Sequence, residues 1–80
     1  MKTCLVVDDS ALVRKLAFSM LGEMGFSCTG AADGAVALDA YKADMPDLVL
    51  LDWTMPGMDG IAFLKALRET APEHMPKIVF

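Results

Sequence analysis

Apolar and polar positions along the chain follow two rhythms. Leu5-Val6-Val7 and Leu48-Val49-Leu50-Leu51 are short unbroken apolar runs, and each ends at an aspartate. Runs of this length fit strands buried on both faces, the pattern of a parallel sheet. Residues 27–31 and 77–80 are weaker strand candidates. Between the strands the period becomes helical. Val13, Leu16, Ala17, Met20, Leu21 and Met24 lie three or four residues apart and form one apolar stripe. Ser10 is placed to cap this helix and Gly25 to stop it. Asp33 predicts the cap of a second helix over 34–44, burying Ala37, Leu38 and Tyr41. Asp59 predicts the cap of a third over 60–70, burying Ile61, Leu64 and Leu67. Phe18 departs from the first stripe, next to Arg14 and Lys15. It reads either as a partner contact or as a side chain partly covered by a loop. Arg14, Lys15 and Lys42 are assigned to solvent-facing positions. The order β-α-β-α-β-α-β implies right-handed crossovers and an α/β fold with a parallel sheet.

Composition narrows the function classes. The chain has 80 residues, enough for one small domain, and 55% of them are hydrophobic. A chain of this size buries only roughly 60% of its unfolded surface. Mean hydropathy of +0.44 rules out a disordered tail. No apolar run approaches the ~20 residues that span a bilayer, so no membrane is expected as a partner. The first apolar run meets Asp8 and Asp9 too soon for a signal peptide. Seven basic residues stand against 11 acidic ones, a net charge of −4, and no basic stripe invites nucleic acid. Cys4 and Cys28 lie in apolar stretches and read as core thiols of a cytoplasmic protein. With the lone His74, read as a solvated loop residue, they are too few for a zinc site. Met20, Met24 and Met58 read as packing residues.

The acids carry the chemistry. Asp8 and Asp9 end the first strand, and Asp52 ends the third. Ligand sites of open α/β sheets lie at the carboxyl ends of the strands. If these two strands are neighbours, about 4.8 Å apart, three carboxylates converge. Such anions repel one another, and a hard divalent cation resolves the conflict. Mg²⁺ accepts one or two carboxylates, keeps several waters and recruits phosphate oxygens. The trio therefore points to phosphoryl chemistry, against a reading in which the acids only cap helices and end strands.

Leu5-Val6-Val7-Asp8-Asp9-Ser10, followed by an amphipathic helix, resembles the opening of a response-regulator receiver domain. The segment from Asp47 to Gly60, with its D-x-x-M-P-x-M-D-G run starting at Asp52, resembles that family's phosphorylation segment. Ala32-Asp33-Gly34-Ala35-Val36-Ala37-Leu38 is similar to its second strand–helix junction. The resemblance covers the whole chain, so residues 1–80 are expected to form one partial receiver domain of four strands and three helices. It implies a flavodoxin-like (βα)3β arrangement with strand order 2-1-3-4.

Carried onto this sequence, the resemblance implies that Asp52 is the phosphoacceptor. Asp9 would ligate Mg²⁺ directly and Asp8 through water, with Asp52 and the carbonyl of Thr54 completing the protein's ligands. A histidine kinase or a histidine phosphotransfer protein would be the donor. Met55-Pro56-Gly57 would turn the chain away and leave Asp52 open, and Asp59 would be structural. Trp53 reads as a rim residue or a shield of the site. Complete receivers resemble a five-stranded unit of roughly 120 residues. Their fourth strand ends in a Ser or Thr and their fifth in a Lys, and both positions would fall beyond Phe80. Impaired phosphorylation is expected from that truncation, together with a homodimer formed through the truncated sheet edge.

Two rival functions stand beside the phosphoacceptor module, which is itself no turnover enzyme. One is a Mg²⁺-dependent phosphohydrolase with an aspartate nucleophile. Such enzymes resemble D-x-D-x-[TV], and Thr54 occupies the place of their second acid. The other is a folded structural fragment that is never phosphorylated.

Overall fold

A computed structural model shows the fold and describes residues 2–52, 60–70 and 76–79. The elements are β1 (Lys2–Val7), α1 (Ala11–Glu23), β2 (Phe26–Ala31), α2 (Gly34–Asp44), β3 (Leu48–Leu51), α3 (Gly60–Thr70) and β4 (Lys77–Val79). The strands form one parallel sheet in the order β2-β1-β3-β4, as expected. Val7 lies opposite Ala31 on one side and Leu51 on the other. That register aligns the carboxyl ends of β1 and β3. It extends one step further, because the Asp52 N–H donates to the Val7 carbonyl at 2.8 Å.

Local chemistry fixes the element ends. The Ser10 hydroxyl accepts from the Val13 N–H at 3.2 Å and caps α1. Asp33 does the same for α2, accepting from the Val36 N–H at 2.9 Å. After α1, Gly25 adopts φ 90°, a left-handed conformation that costs glycine little and turns the chain into β2. At the opposite end of the sheet, Asp47 binds three strands together. Its carboxylate accepts from the Thr3 N–H at 2.9 Å, and its carbonyl accepts from the Lys77 N–H at 3.0 Å.

The main core cluster lies on one face of the sheet, while Cys4 and Val6 of β1 are buried on the other. In that cluster Leu5, Val7, Ala31, Val49 and Leu51 pack against Ala37 and Tyr41 of α2 and Phe63 and Leu67 of α3. Leu38 is half-buried at its margin. The third helix departs from the expected pattern. Ile61 is 56% exposed, and Phe63 is buried in its stead. Two residues on a helix are roughly 200° apart, so the face that buries Phe63 and Leu67 turns Ile61 outward.

Among the described residues the other face carries only α1, and here the expected stripe is corrected. No residue of α1 is buried. Val13, Leu16, Met20 and Met24 are exposed, and Arg14, Ala17, Phe18 and Leu21 are the half-buried set. The cause is Gly30 on β2. A Cβ there would lie 2.7 Å from the Phe18 ring and 3.2 Å from the Arg14 side chain. The absent side chain is the space these two residues use, so both face the sheet rather than solvent. Met20 and Met24 are accordingly not core residues. β3 shows the same one-sidedness. Val49 and Leu51 are buried while Leu48 and Leu50 are half-covered, so this strand is not buried on both faces as expected.

Candidate functional site

The β1–β3 pairing brings the acids together. Asp8 and Asp9 follow β1, Asp52 follows β3, and one carboxylate oxygen from each lies within 4.8 Å of the other two. Asp8 and Asp52 are half-buried and Asp9 is exposed, so the trio has a protein side and a solvent side. A cleft of about 360 Å³ runs along the sheet beside it, lined by Val6, Val7, Asp8, Val13, Leu50, Leu51 and Asp52.

Two contacts position Asp8. Its Oδ1 accepts from the Ser10 N–H at 2.9 Å. Ser10 therefore serves both sides of the β1–α1 turn, orienting the acid through its backbone and capping the helix through its hydroxyl. The second contact is Arg14, whose Nη1 donates to the Asp8 carbonyl at 2.6 Å. Sequence reasoning placed Arg14 in solvent and missed this tie. The available signal was its position in the first turns of α1, within reach of the strand end that precedes the helix.

The donor set is chemically consistent with a hard cation. Three carboxylates supply only oxygen, the ligand type that Mg²⁺ selects, and their number leaves room for water in its octahedron. Thr54, Trp53, Met55, Pro56, Gly57, Met58 and Asp59 lie outside the described residues, as does His74.

Comparison with known proteins agrees with the fold. A family model, the response regulator receiver domain, matches residues 4–80. The chemotaxis protein CheY of Bacillus subtilis is 44% identical over 66 residues, covering 81% of this chain and 55% of CheY. The chain thus spans about half the length of that curated relative. The response regulator TrrA of Thermotoga maritima, solved in complex with Mg²⁺ and BeF, is 36% identical with a TM-score of 0.84. That match covers 98% of this chain and 66% of TrrA. A complex of histidine kinase ThkA with TrrA matches at 36% identity and a TM-score of 0.83, again over 98% of this chain and 66% of the matched one. With a family match over nearly its whole length and the family's strand order, the chain belongs to the response regulator receiver domains.

Proposed function

We propose that residues 1–80 act as a partial receiver domain whose Asp52 accepts a phosphoryl group from a phosphohistidine donor, a histidine kinase or a histidine phosphotransfer protein. The carrying observation is the meeting of Asp8, Asp9 and Asp52 within 4.8 Å at the carboxyl ends of two adjacent strands. The relative TrrA, solved with a histidine kinase, supports the kind of donor. An ionised Asp52 needs no general base. Its carboxylate oxygen forms the new O–P bond as the N–P bond to the imidazole breaks, and the leaving imidazole takes its proton from solvent. Ser10 holds Asp8 through its N–H, and Arg14 braces the same turn.

Asp8, Asp9 and Asp52 would hold Mg²⁺, with the Thr54 carbonyl as the further ligand. The bound ion would offset charge between the anionic nucleophile and the anionic phosphoryl group. Asp52 is consumed at each event, so the chain works as a signalling module and not as a turnover enzyme. A cytoplasmic setting goes with this reading, on the free thiols Cys4 and Cys28. The test is intact mass after incubation with Mg²⁺ and a small acyl phosphate. A gain of about 80 Da, abolished by chelator, is expected. No gain at any donor concentration would overturn the reading.

Metal binding is separable from transfer. Trp53 adjoins Asp52 in sequence, so indole fluorescence should follow a Mg²⁺ titration. Asp9→Asn removes one of three anionic donors and should weaken the apparent affinity about tenfold. Superimposable titrations of the two proteins would remove Asp9 from the ligand set.

We further propose that two chains associate through the open edge of β4. Among the described residues this strand pairs only with β3, and Val79 on it is 39% exposed. An open edge beside apolar surface is a template for a two-fold pair. Light scattering coupled to size exclusion should give twice the chain mass at high concentration. A monomer throughout the range would rule this pairing out.

A further inference from the structure

Cys4 and Cys28 are the chain's two cysteines, and both are free thiols. The parallel register of β1 and β2 sets them directly opposite each other. Opposed residues of neighbouring parallel strands point to the same face of the sheet. Strand separation of about 4.8 Å also falls inside the roughly 4.4–6.8 Å spanned by the Cα atoms of disulfides. The surroundings of the two thiols differ in a way that assigns them different tasks. Cys4 is 1% exposed and sits on a strand with a neighbour on each side. Cys28 is half-buried on β2, the edge of the sheet.

Ionisation divides them in the same direction. Burial pushes the Cys4 thiol up to about 11, and the adjacent Cys28 adds to the rise. Burial raises Cys28 as well, with the neighbouring Cys4 partly offsetting the rise. Cys28, the more exposed of the two, is thus the thiol that an oxidant reaches. Cys4 needs no access to solvent if its only partner is Cys28.

We propose that Cys28 and Cys4 form an oxidation-sensitive dithiol, in which Cys28 reduces a hydroperoxide and an intrachain disulfide then closes to Cys4. In the first step the Cys28 thiolate sulfur attacks the terminal peroxide oxygen. The O–O bond breaks, the alcohol or water leaves with a proton, and Cys28 becomes a sulfenic acid. In the second step the Cys4 sulfur attacks the Cys28 sulfur. The S–S bond forms, the S–O bond breaks, and the departing hydroxide takes the Cys4 proton as water. Two thiols are oxidised by two electrons, and one hydroperoxide is reduced to an alcohol and water. The bridge closes a loop that contains all of α1 and the Asp8–Asp9 turn, and it ties the edge strand to the centre of the sheet. Because both thiols are held mostly protonated near neutrality, closure is slow there and quickens as pH rises.

The whole chain is treated with hydrogen peroxide under native conditions, quenched, denatured, alkylated and weighed. The expected product is a monomer that has lost about 2 Da, restored by dithiothreitol. Peptide mapping should find Cys4 linked to Cys28, and closure should run about tenfold faster at pH 8 than at pH 7. The oxidised form should show a higher urea midpoint than the reduced one. Cys4→Ala should stop at the Cys28 sulfenic acid, trapped by dimedone. Wild-type chain that instead gains about 32 Da at Cys28, or that crosslinks only between chains, overturns the proposal. That result does not depend on how the variant folds.

Discussion

Asp52→Asn is expected to abolish the phosphoryl mass gain and, at the same time, to raise the thermal midpoint of the metal-free protein. The first effect follows from the nucleophile. An amide oxygen carries no full charge, and its acyl phosphate analogue does not form at neutral pH. The second follows from the site's electrostatics. Three carboxylates whose oxygens lie within 4.8 Å repel one another without a cation, and the substitution removes one charge while keeping the side-chain shape. The backbone bond from the Asp52 N–H to the Val7 carbonyl is unaffected. A rise of a few degrees is expected in chelator, shrinking as salt screens the remaining pair. The stabilisation that Mg²⁺ gives the wild type should shrink as well, because the ligand set has lost a member. Mass spectrometry and thermal melts in chelator and in Mg²⁺ read both effects. An unchanged mass gain would move the acceptor elsewhere. A lowered midpoint would make Asp52 a structural residue.

That opposition between stability and chemistry bears on what was legible in the sequence. Leu5-Val6-Val7 and Leu48-Val49-Leu50-Leu51 announced the strands because a central parallel strand has few polar positions. Ser10 and Asp33 announced helix starts because a capping oxygen acts within its own turn, with no distant partner required. The three acids were visible as strand-end residues. Their convergence, however, required β1 and β3 to be neighbours, which the family resemblance implied and periodicity alone did not. Ala37, Tyr41 and Leu67 are buried as expected, and the inferences that failed were others that depended on the shape of a facing surface. α1 has two overlapping stripes, and the more hydrophobic one, Val13-Leu16-Met20-Met24, faces away from the sheet. The choice was made by Gly30, distant in sequence, whose missing side chain admits Phe18 and Arg14. The same blindness hid the bond from Arg14 to the Asp8 carbonyl and exchanged Ile61 for Phe63. A one-dimensional pattern records that a face is apolar but does not record what it meets.

Leu67→Ala should leave most of the chain unfolded at modest urea concentrations, whereas Met20→Ala should leave the unfolding midpoint almost unchanged. Both remove a large apolar side chain from a helix, and the sequence pattern treats both as packing positions. Leu67 is fully buried among the residues that α2, α3 and the sheet share. Truncating such a leucine costs about 2–5 kcal/mol, the lost transfer energy plus the cavity left behind. At about 0.05–0.15 kcal/mol per residue, a chain of this length has only roughly 4–12 kcal/mol to lose. Met20 is 67% exposed on the other side of the sheet. There the change should stay within about 0.5 kcal/mol. The contrast measures how far stability is concentrated on one face. Urea titrations at low chain concentration, where association is weakest, give the cleanest comparison. Equal losses for the two variants would mean that the outer face of α1 is buried in solution. Raising the chain concentration would then separate the covering of α1 by a second copy from a different packing of the helix. The first makes the Met20→Ala loss grow with concentration, and the second leaves it constant.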